Sequence, residues 1–136
     1  MKLIAYTDGG SRGNPGPAAA AAVLYSEDGS KLVGVSEYLG ETTNNQAEYV
    51  GAILALKKAE ALGADEVDVY MDSELVVRQL KGEYKVKNAD LARRFLEVHH
   101  LRAKFKRTIF RHVVRERNKA ADALVNKTLD EYSVVE

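Results

Sequence analysis

A change of hydrophobic period at Thr43 limits the fold of this chain more than any other feature of its sequence. Between Thr43 and Leu62 the apolar residues recur with the 3.6-residue period of a helix, whereas the segments on either side have the strand-like period of two. Thr43 followed by Gln46 is a capping-box pattern, and Gly63 is a natural stop, so we predict a helix over 43–62. A helix between two strand regions indicates a parallel crossover.

Five short segments of apolar and β-branched residues are typical of strands. They cover residues 3–7, 18–25, 31–39, 67–71 and 108–114. The first three are close enough in sequence to form an antiparallel meander, and we expect the first and the fourth to end at Asp8 and Asp72. In the turn that precedes the second strand, we expect Pro15 to preset φ and Gly16 to supply a positive φ.

Further helical patterns follow the fourth strand. They cover 73–80, 89–104 after the cap Asn88, and the segment after Asn118, which we expect to cap the last helix. The tail from Ser133 is expected to fray. A length of 136 residues with 46% hydrophobic content is enough for one core, so we predict a single domain over residues 1–136 with an α/β fold.

The composition excludes several classes of site. The chain has no cysteine, which rules out disulfides, thiolate zinc sites and cysteine nucleophiles. It has neither a signal-peptide pattern nor the ~20 consecutive apolar residues that a membrane span needs. We therefore expect a cytoplasmic protein without membrane contact and, since no feature indicates an obligate interface, a monomer without an obligate protein partner.

The net charge of zero hides an asymmetry between the two halves of the chain. Residues 1–72 contain 5 Lys and Arg against 11 Asp and Glu, whereas residues 73–136 contain 15 against 9. Such a division suits a protein in which an acidic, cation-binding cluster lies beside a basic face that attracts phosphates. Basic helices that merely face solvent would give the same pattern.

Four carboxylates occupy positions from which they could converge. Ligands of an open α/β sheet bind at the carboxyl ends of parallel strands, where we expect Asp8 and Asp72, and Glu48 and Asp122 lie near the starts of helices. Carboxylates in one cleft repel each other, and hard divalent cations such as Mg²⁺ or Mn²⁺ would neutralise them. Zinc is disfavoured, because there is no cysteine and the three histidines lack paired spacing. Taken singly, each acid also has a structural interpretation as a turn former or a partner of a helix dipole.

Five strings of residues stand in an order that is highly specific. They are Tyr6-Thr7-Asp8-Gly9-Gly10, Gly13-Asn14-Pro15-Gly16, Thr42-Thr43-Asn44-Asn45-Gln46-Ala47-Glu48, Asp72-Ser73, and Asn118 with Ala121-Asp122 and Leu124. Together they resemble type 1 ribonuclease H, and the likeness extends from Lys2 to about Leu129. The resemblance implies an RNase H-like fold, in which a five-stranded mixed sheet in the order 3-2-1-4-5 is flanked by helices.

The resemblance also implies an activity. A ribonuclease H hydrolyses the RNA strand of RNA–DNA hybrids and leaves 5′-phosphate and 3′-hydroxyl ends. By this likeness the catalytic and metal-binding residues would be Asp8, Glu48, Asp72 and Asp122. They would hold two Mg²⁺ or Mn²⁺ ions, of which one would activate the attacking water and the other would stabilise the departing 3′-oxygen.

Contacts to the substrate follow from the same resemblance. Asn14, Asn44 and Asn45 would contact the minor groove of the hybrid, where amide groups can read the 2′-hydroxyl of RNA. Thr43 and Asn88 match positions that form a pocket for a DNA phosphate in relatives. Three of these residues, Thr43, Asn44 and Asn88, also have a structural interpretation as helix caps, and the two roles are compatible.

Two regions depart from the pattern of many family members. Residues 81–88 are too short for the basic, tryptophan-containing handle of those relatives, so the grip on the substrate must come from other side chains. The candidates are Lys85, Lys87, Arg93, Arg94, Lys104, Lys106 and Arg107. The loop before Asp122 is also short. Relatives carry there a histidine that assists product release, and here Arg115 or His112 could take that role, although a histidine at a strand end is often structural.

Two other functions remain compatible with the sequence. A catalytically silent module that binds hybrids or double-stranded RNA would be expected to lack at least one of the four acids. Another nuclease of the RNase H fold, acting on DNA, would keep the acids. The Thr-Asn-Asn-Gln segment at 43–46 suits contacts to an RNA minor groove and therefore favours the hybrid.

Overall fold

The computed structural model describes residues 1–133, which form a five-stranded sheet with helices on both faces. In chain order the elements are β1 (Lys2–Ser11), β2 (Gly16–Ser26), β3 (Lys31–Thr42), α1 (Asn44–Ala61), β4 (Glu66–Met71), α2 (Glu74–Leu80), α3 (Ala89–Arg102), β5 (Arg107–His112), a 3₁₀ turn (Arg115–Arg117) and α4 (Lys119–Ser133). The strand order is β3-β2-β1-β4-β5, with β1, β2 and β3 antiparallel and β1, β4 and β5 parallel. The predicted α/β fold, mixed sheet, crossover and strand order are confirmed.

We predicted that β1 ends at Asp8, but the strand continues to Ser11. Its last residues pair in antiparallel register with alanines of β2, whereas its parallel pairing with β4 stops at Thr7 and Met71. The prediction was wrong because glycine can adopt an extended backbone when a neighbouring strand supplies the hydrogen bonds. Asp8 therefore lies inside β1, at the point where the strand loses one of its two neighbours.

The turn between β1 and β2 uses a different glycine from the one predicted. Gly13 has a φ of 98°, whereas Gly16 has no positive φ and begins β2. The peptide bond between Asn14 and Pro15 is cis. Gly16 is needed for a steric reason instead, because a Cβ at this position would lie 2.2 Å from the carbonyl oxygen of Arg12.

The main helices begin at the predicted caps. The Thr43 hydroxyl accepts a hydrogen bond from the backbone N–H of Gln46 at 3.2 Å, and Asn88 Oδ1 accepts from two backbone N–H groups in the first turn of α3. α1 ends at Ala61, just before Gly63 with its φ of 84°. These caps satisfy backbone groups that a helix end leaves without partners.

The segment between β5 and α4 begins earlier than predicted. β5 ends at His112 rather than at Val114, although Val113 still donates its backbone N–H to the carbonyl oxygen of Met71 at 2.9 Å. Ser133 is the last residue of α4, and the rest of the predicted frayed end lies outside the described residues.

α1 and α4 pack on opposite faces of the sheet over the alanine run Ala18–Ala22 of β2, which is 0% exposed. Alternate residues of a strand point to opposite faces. Two alanines of the run pack with Val125 and Leu129 of α4, whereas Ala22 belongs to the larger core that includes the buried residues of α1. Within residues 1–133, no helix is long and apolar enough to cross a membrane.

Candidate metal centre

Three of the four predicted acids meet at one edge of the sheet. Asp8 lies in β1 where its pairing with β4 ends, Asp72 follows β4 directly, and Glu48 lies in the second turn of α1. One carboxylate oxygen from each lies within 4.8 Å of the others. The geometry thus brings together acids from three elements that are 24 or more residues apart in sequence.

Close packing between α1 and β1 produces this convergence. A Cβ on Gly9 would lie 2.1 Å from the carbonyl carbon of Ala47, and a Cβ on Gly51 would lie 2.8 Å from the carbonyl oxygen of Asp8. The helix can therefore approach the strand only because both positions are glycine. At this distance the backbone N–H of Gly9 donates to Glu48 Oε1 at 2.7 Å and to Asp8 Oδ1 at 2.9 Å.

The electrostatics of the cluster are unfavourable without a cation. Burial, supported by the nearby charges of Asp72 and Asp122, raises the pKa of Asp8 to about 7, while the hydrogen bond from the Gly9 amide opposes the rise. Burial and the charge of Asp8 raise the pKa of Glu48 well above its ordinary value. Glu48 Oε2 is also buried without a hydrogen-bond partner within residues 1–133. Oxygen donors with an unpartnered buried oxygen fit a hard divalent cation.

Asp122 lines the same cleft without joining the tight cluster. The cleft has a volume of about 390 Å³, and Asp8, Glu48, Asp72 and Asp122 all contribute to its walls. Asp122 lies in the first turn of α4 and is close enough for its charge to raise the pKa of Asp8. Within residues 1–133, the group of acids close enough to share one ion contains the other three only.

We predicted that Asn118 caps α4, but its side chain does not do so. Its backbone carbonyl accepts from Asp122 N at 3.1 Å, which is the position of a cap, but its Nδ2 donates to the carbonyl oxygen of Thr7 and to Asp72 Oδ2. The reason is burial, since Asn118 is 1% exposed and its amide nitrogen faces two acceptors. The sequence pattern identified the position of this residue and not what its amide contacts.

The three predicted minor-groove residues lie at the turn beside the cleft and at the start of α1, and Asn44 and Asn45 line the cleft itself. Asn14 Oδ1 accepts from the backbone N–H of Asn44 at 3.1 Å, and Asn44 Oδ1 accepts from the backbone N–H and hydroxyl of Ser11. The amide nitrogens of Asn14 and Asn44 donate to no group within residues 1–133. Both side chains are thus held by their oxygens and leave their donors available.

A second concave surface, which we call the basic groove after Arg93 and Arg94, separates the start of α1 from α3. These arginines pair with Asp90 and Glu97, so the lining side chains carry no net charge. The groove has a volume of about 510 Å³ and is lined by Thr42, Gln46, Asp90, Arg93, Arg94 and Glu97. Arg94 Nε donates to Gln46 Oε1 at 3.1 Å, so the Gln46 side chain is not free to complete the reciprocal half of the capping box. Thr43 and Asn88, the predicted phosphate contacts, are seen in their capping roles near this groove.

The two candidates for the loop helper lie in different places. Arg115, in the 3₁₀ turn, lines the acidic cleft together with the four carboxylates. His112 is exposed at the end of β5, pairs with Met71 in the sheet, and does not line the cleft. The geometry therefore favours Arg115 over His112.

Sequence reasoning missed two features that shape the site. Gly51 stands inside a helix, where glycine is unfavourable, and this could have indicated a close approach of another backbone. Arg12 forms an ion pair with Asp130 at 2.6 Å and so ties the turn that carries Asn14 to α4. No spacing rule connects two residues 118 positions apart, so this contact had no signal in the sequence.

Comparisons with known proteins agree with this architecture. A family model described as reverse transcriptase-like matches residues 6–128. The chain is 43% identical over 130 residues to ribonuclease HI of Halobacterium salinarum, and the match covers 96% of this chain and 65% of that protein. It is 45% identical over 131 residues to the bifunctional protein Rv2228c of Mycobacterium tuberculosis, covering 96% of this chain and 36% of that protein. The chain thus spans from about a third to just under two thirds of the length of these relatives.

Solved structures give the same result. The crystal structure of RNase H1 from Halobacterium salinarum NRC-1 is similar with a TM-score of 0.94 and 42% identity, covering 96% of this chain and 99% of that chain. LC11-RNase H1, a protein isolated from compost, was solved in complex with an RNA/DNA hybrid. It is similar with a TM-score of 0.91 and 45% identity, covering 96% of this chain and 98% of that chain.

Proposed function

Because the chain belongs to the type 1 ribonuclease H family, we propose that it is an endonuclease that hydrolyses the RNA strand of RNA–DNA hybrids with two Mg²⁺ or Mn²⁺ ions. The observation that carries the proposal is the convergence of Asp8, Glu48 and Asp72 on one point, with a buried Glu48 oxygen that has no other partner within residues 1–133. That the chain is one domain over 1–136 stays a prediction.

Each acid has a distinct part in holding the cations. Asp8, at the centre of the cluster, and Asp72 would supply oxygens from the two parallel strands, while Glu48 would supply its unpartnered oxygen from α1. Asp122, on the wall of the cleft, would be the ligand that closes the site from the side of α4. Bound cations of this kind activate water and stabilise the leaving oxygen in phosphodiester hydrolysis.

The asparagines beside the cleft would select the substrate. Asn14 and Asn44 use their oxygens inside the protein, so they present only N–H donors to a ligand. The minor groove of a hybrid offers acceptors at the base edges and at the 2′-hydroxyl of RNA. A relative, LC11-RNase H1, was solved with an RNA/DNA hybrid, which supports the same class of substrate here.

The basic groove would hold the partner strand where the family handle is missing. Arg93 and Arg94 line it, and the caps Thr43 and Asn88 lie beside it at the starts of the two helices. Backbone N–H groups at helix starts and arginine side chains both favour phosphate. Both arginines are among the basic residues proposed from the sequence.

A cleavage assay with three matched substrates tests the proposal. The protein is given an RNA–DNA hybrid, a DNA duplex and a double-stranded RNA of the same sequence, each with Mg²⁺, with Mn²⁺ and with EDTA. We expect cleavage of the RNA strand of the hybrid alone, absent in EDTA and reduced more than about 100-fold in Asp8→Asn. Cleavage of the DNA duplex instead, or full activity of Asp8→Asn, would contradict the proposal. Binding to the hybrid without cleavage would indicate a silent binding module.

Arg115 gives a second test within the same assay. Since it lines the cleft and His112 does not, we expect Arg115→Ala to lower kcat, because product release can limit kcat, and His112→Ala to leave kcat unchanged. The reverse result would assign the helper role to the end of β5.

A further inference from the structure

Asn118 is a buried amide at the junction of β1, β4 and α4. It is 1% exposed, and its Nδ2 donates to the carbonyl oxygen of Thr7 at 2.8 Å and to Asp72 Oδ2 at 3.2 Å. A carbonyl and a carboxylate can only accept, so the amide nitrogen and not the oxygen must face them. The orientation of this side chain therefore follows from its two partners.

The backbone of Asn118 connects the same region to the last acid. Its N–H donates to the carbonyl oxygen of Arg115 at 2.9 Å, and its carbonyl accepts from the N–H of Asp122 at 3.1 Å. Thr7 directly precedes Asp8 in β1. Asn118 thus contacts the Asp72 side chain, the Asp122 backbone and Thr7, the residue next to Asp8. These contacts reach three of the four segments that carry the acids.

Burying the Asn118 side-chain amide carries an energetic penalty. Asn118 Oδ1 is buried and has no hydrogen-bond partner within residues 1–133. Buried polar atoms are nearly always paired, and a residue that served stability alone would avoid such an orphan. The two donor bonds, one of them to a carboxylate of the cation site, offer a reason for an asparagine here.

We propose that Asn118 is a positioning residue that orients the Asp72 carboxylate for cation binding. With Oδ2 held by the amide, the rotation of the Asp72 carboxylate would be restricted, and its other oxygen would be left available to a cation. Groups that hydrogen-bond a metal-ligating carboxylate set its orientation, and their loss weakens metal binding. The inference rests on the part of the proposed function that places a divalent cation at this cluster.

The unmodified protein allows a direct test by NMR. Mg²⁺ is titrated into ¹⁵N-labelled protein while the Asn118 side-chain NH₂ resonances and the backbone amide of Gly9 are followed. Gly9 donates to Asp8 and Glu48 and therefore reports cation binding independently of Asn118. We expect the Asn118 NH₂ protons to exchange slowly with water and to shift with the same dissociation constant as Gly9. An Asn118 signal that stays unchanged while Gly9 shifts would overturn the proposal.

A variant with a matched control measures the size of the effect. Asn118→Ala removes both donor bonds, whereas Thr128→Val in α4 also removes the bonds of a buried side chain, to Ser36 Oγ and to the Leu124 carbonyl, away from the cluster. We expect the Kd for Mn²⁺, measured by calorimetry without substrate, to rise roughly 10- to 100-fold in Asn118→Ala and to stay unchanged in Thr128→Val. A folded Asn118→Ala that binds Mn²⁺ like the parent would contradict the proposal. If Asn118→Ala does not fold, the NMR titration decides.

Kinetic measurements distinguish a positioning role of Asn118 from a purely structural role. In Asn118→Ala we expect kcat to fall and to recover at high Mn²⁺, while the KM for the hybrid stays constant because Asn14, Asn44 and the basic groove are untouched. A higher KM without metal rescue would indicate a structural role and overturn the proposal. If the parent protein fails to cleave hybrids but Gly9 and Asn118 both respond to Mg²⁺, the proposed function fails and the positioning role stands.

Discussion

The acidic cleft and the basic groove lie on either side of the start of α1, and they are built in opposite ways. In the cleft, the carboxylates of Asp8 and Glu48 are buried and their positions follow from the backbone, since Gly9 and Gly51 let α1 approach β1. In the groove, long side chains such as those of Arg93 and Arg94 are partly or fully exposed, and they neighbour the carboxylates of Asp90 and Glu97. We therefore expect the cleft to be rigid and the groove to be adaptable.

The difference shows what each task demands of the structure. Cation ligands must be placed to within a fraction of an ångström, which short side chains on packed elements achieve. Attraction of a phosphate backbone needs positive charge at roughly the right place, and long exposed side chains supply it. Substitutions in the cleft should therefore act through geometry, and substitutions in the groove through charge.

The largest effect is expected at Gly9, because one added methyl group there should disrupt the packing that forms the cleft. In Gly9→Ala the new Cβ would overlap the backbone of Ala47, so α1 must move away from β1 and take Glu48 with it. We expect a loss of about 3 kcal/mol in the free energy of unfolding, together with loss of cleavage. Gly10→Ala is the control, because its Cβ would meet only Asn44 Oδ1 at 3.9 Å. Equal stability of the two variants in urea unfolding would refute the idea that backbone contact builds the cleft.

A smaller effect tests the burial of charge in the cleft. Because the pKa of Asp8 is raised from 3.8 to about 7, the folded protein holds a proton that the unfolded chain releases, so stability is lost as the pH rises through this interval. In EDTA at about pH 8 we expect Asp8→Asn to be more stable than the parent by about 2 kcal/mol, and at about pH 4 we expect no difference. Saturating Mg²⁺ should abolish the advantage. Urea unfolding at both pH values measures this, and a less stable Asp8→Asn at the higher pH would contradict the electrostatic argument.

The smallest effect is expected in the groove. Arg94→Ala should weaken hybrid binding by about 1 kcal/mol, seen as a higher KM with kcat unchanged, and should lower the slope of log affinity against log salt by about 0.9 for one lost phosphate contact. Lys31→Ala removes the same charge at the far end of β3 and should change neither value. A fall in kcat in Arg94→Ala would mean that the groove, too, works through geometry.

Sequence patterns predicted those parts of the molecule that local chemistry determines. The period change at Thr43, the caps at Thr43 and Asn88 and the parallel crossover follow from neighbours in sequence or from topology rules, whereas the full strand order came from the family resemblance. The convergence of Asp8 and Asp72 was predictable for the same reason, because parallel strands bring their carboxyl ends to one edge.

The features that sequence reasoning missed depend on contacts between distant segments. The extension of β1 beyond Asp8 requires the alanines of β2 as partners, and the amide of Asn118 turns toward Thr7 and Asp72 because these acceptors are buried beside it. The Gln46 side chain contacts Arg94 instead of the helix start. In each case a tertiary partner outweighed the local preference that the pattern encodes.

The alanine run of β2 has a consequence for the evolution of such a chain. Ala18–Ala22 carries no chemistry, yet both faces of the strand are covered, so a larger side chain would push α1 or α4 outward. A saturation scan should therefore find this segment among the least tolerant of the chain, while the exposed arginines of the basic groove accept many substitutions. Sequence drift would then concentrate on the surface proposed to bind the substrate, and that surface could change without altering the packed frame around the acidic cleft.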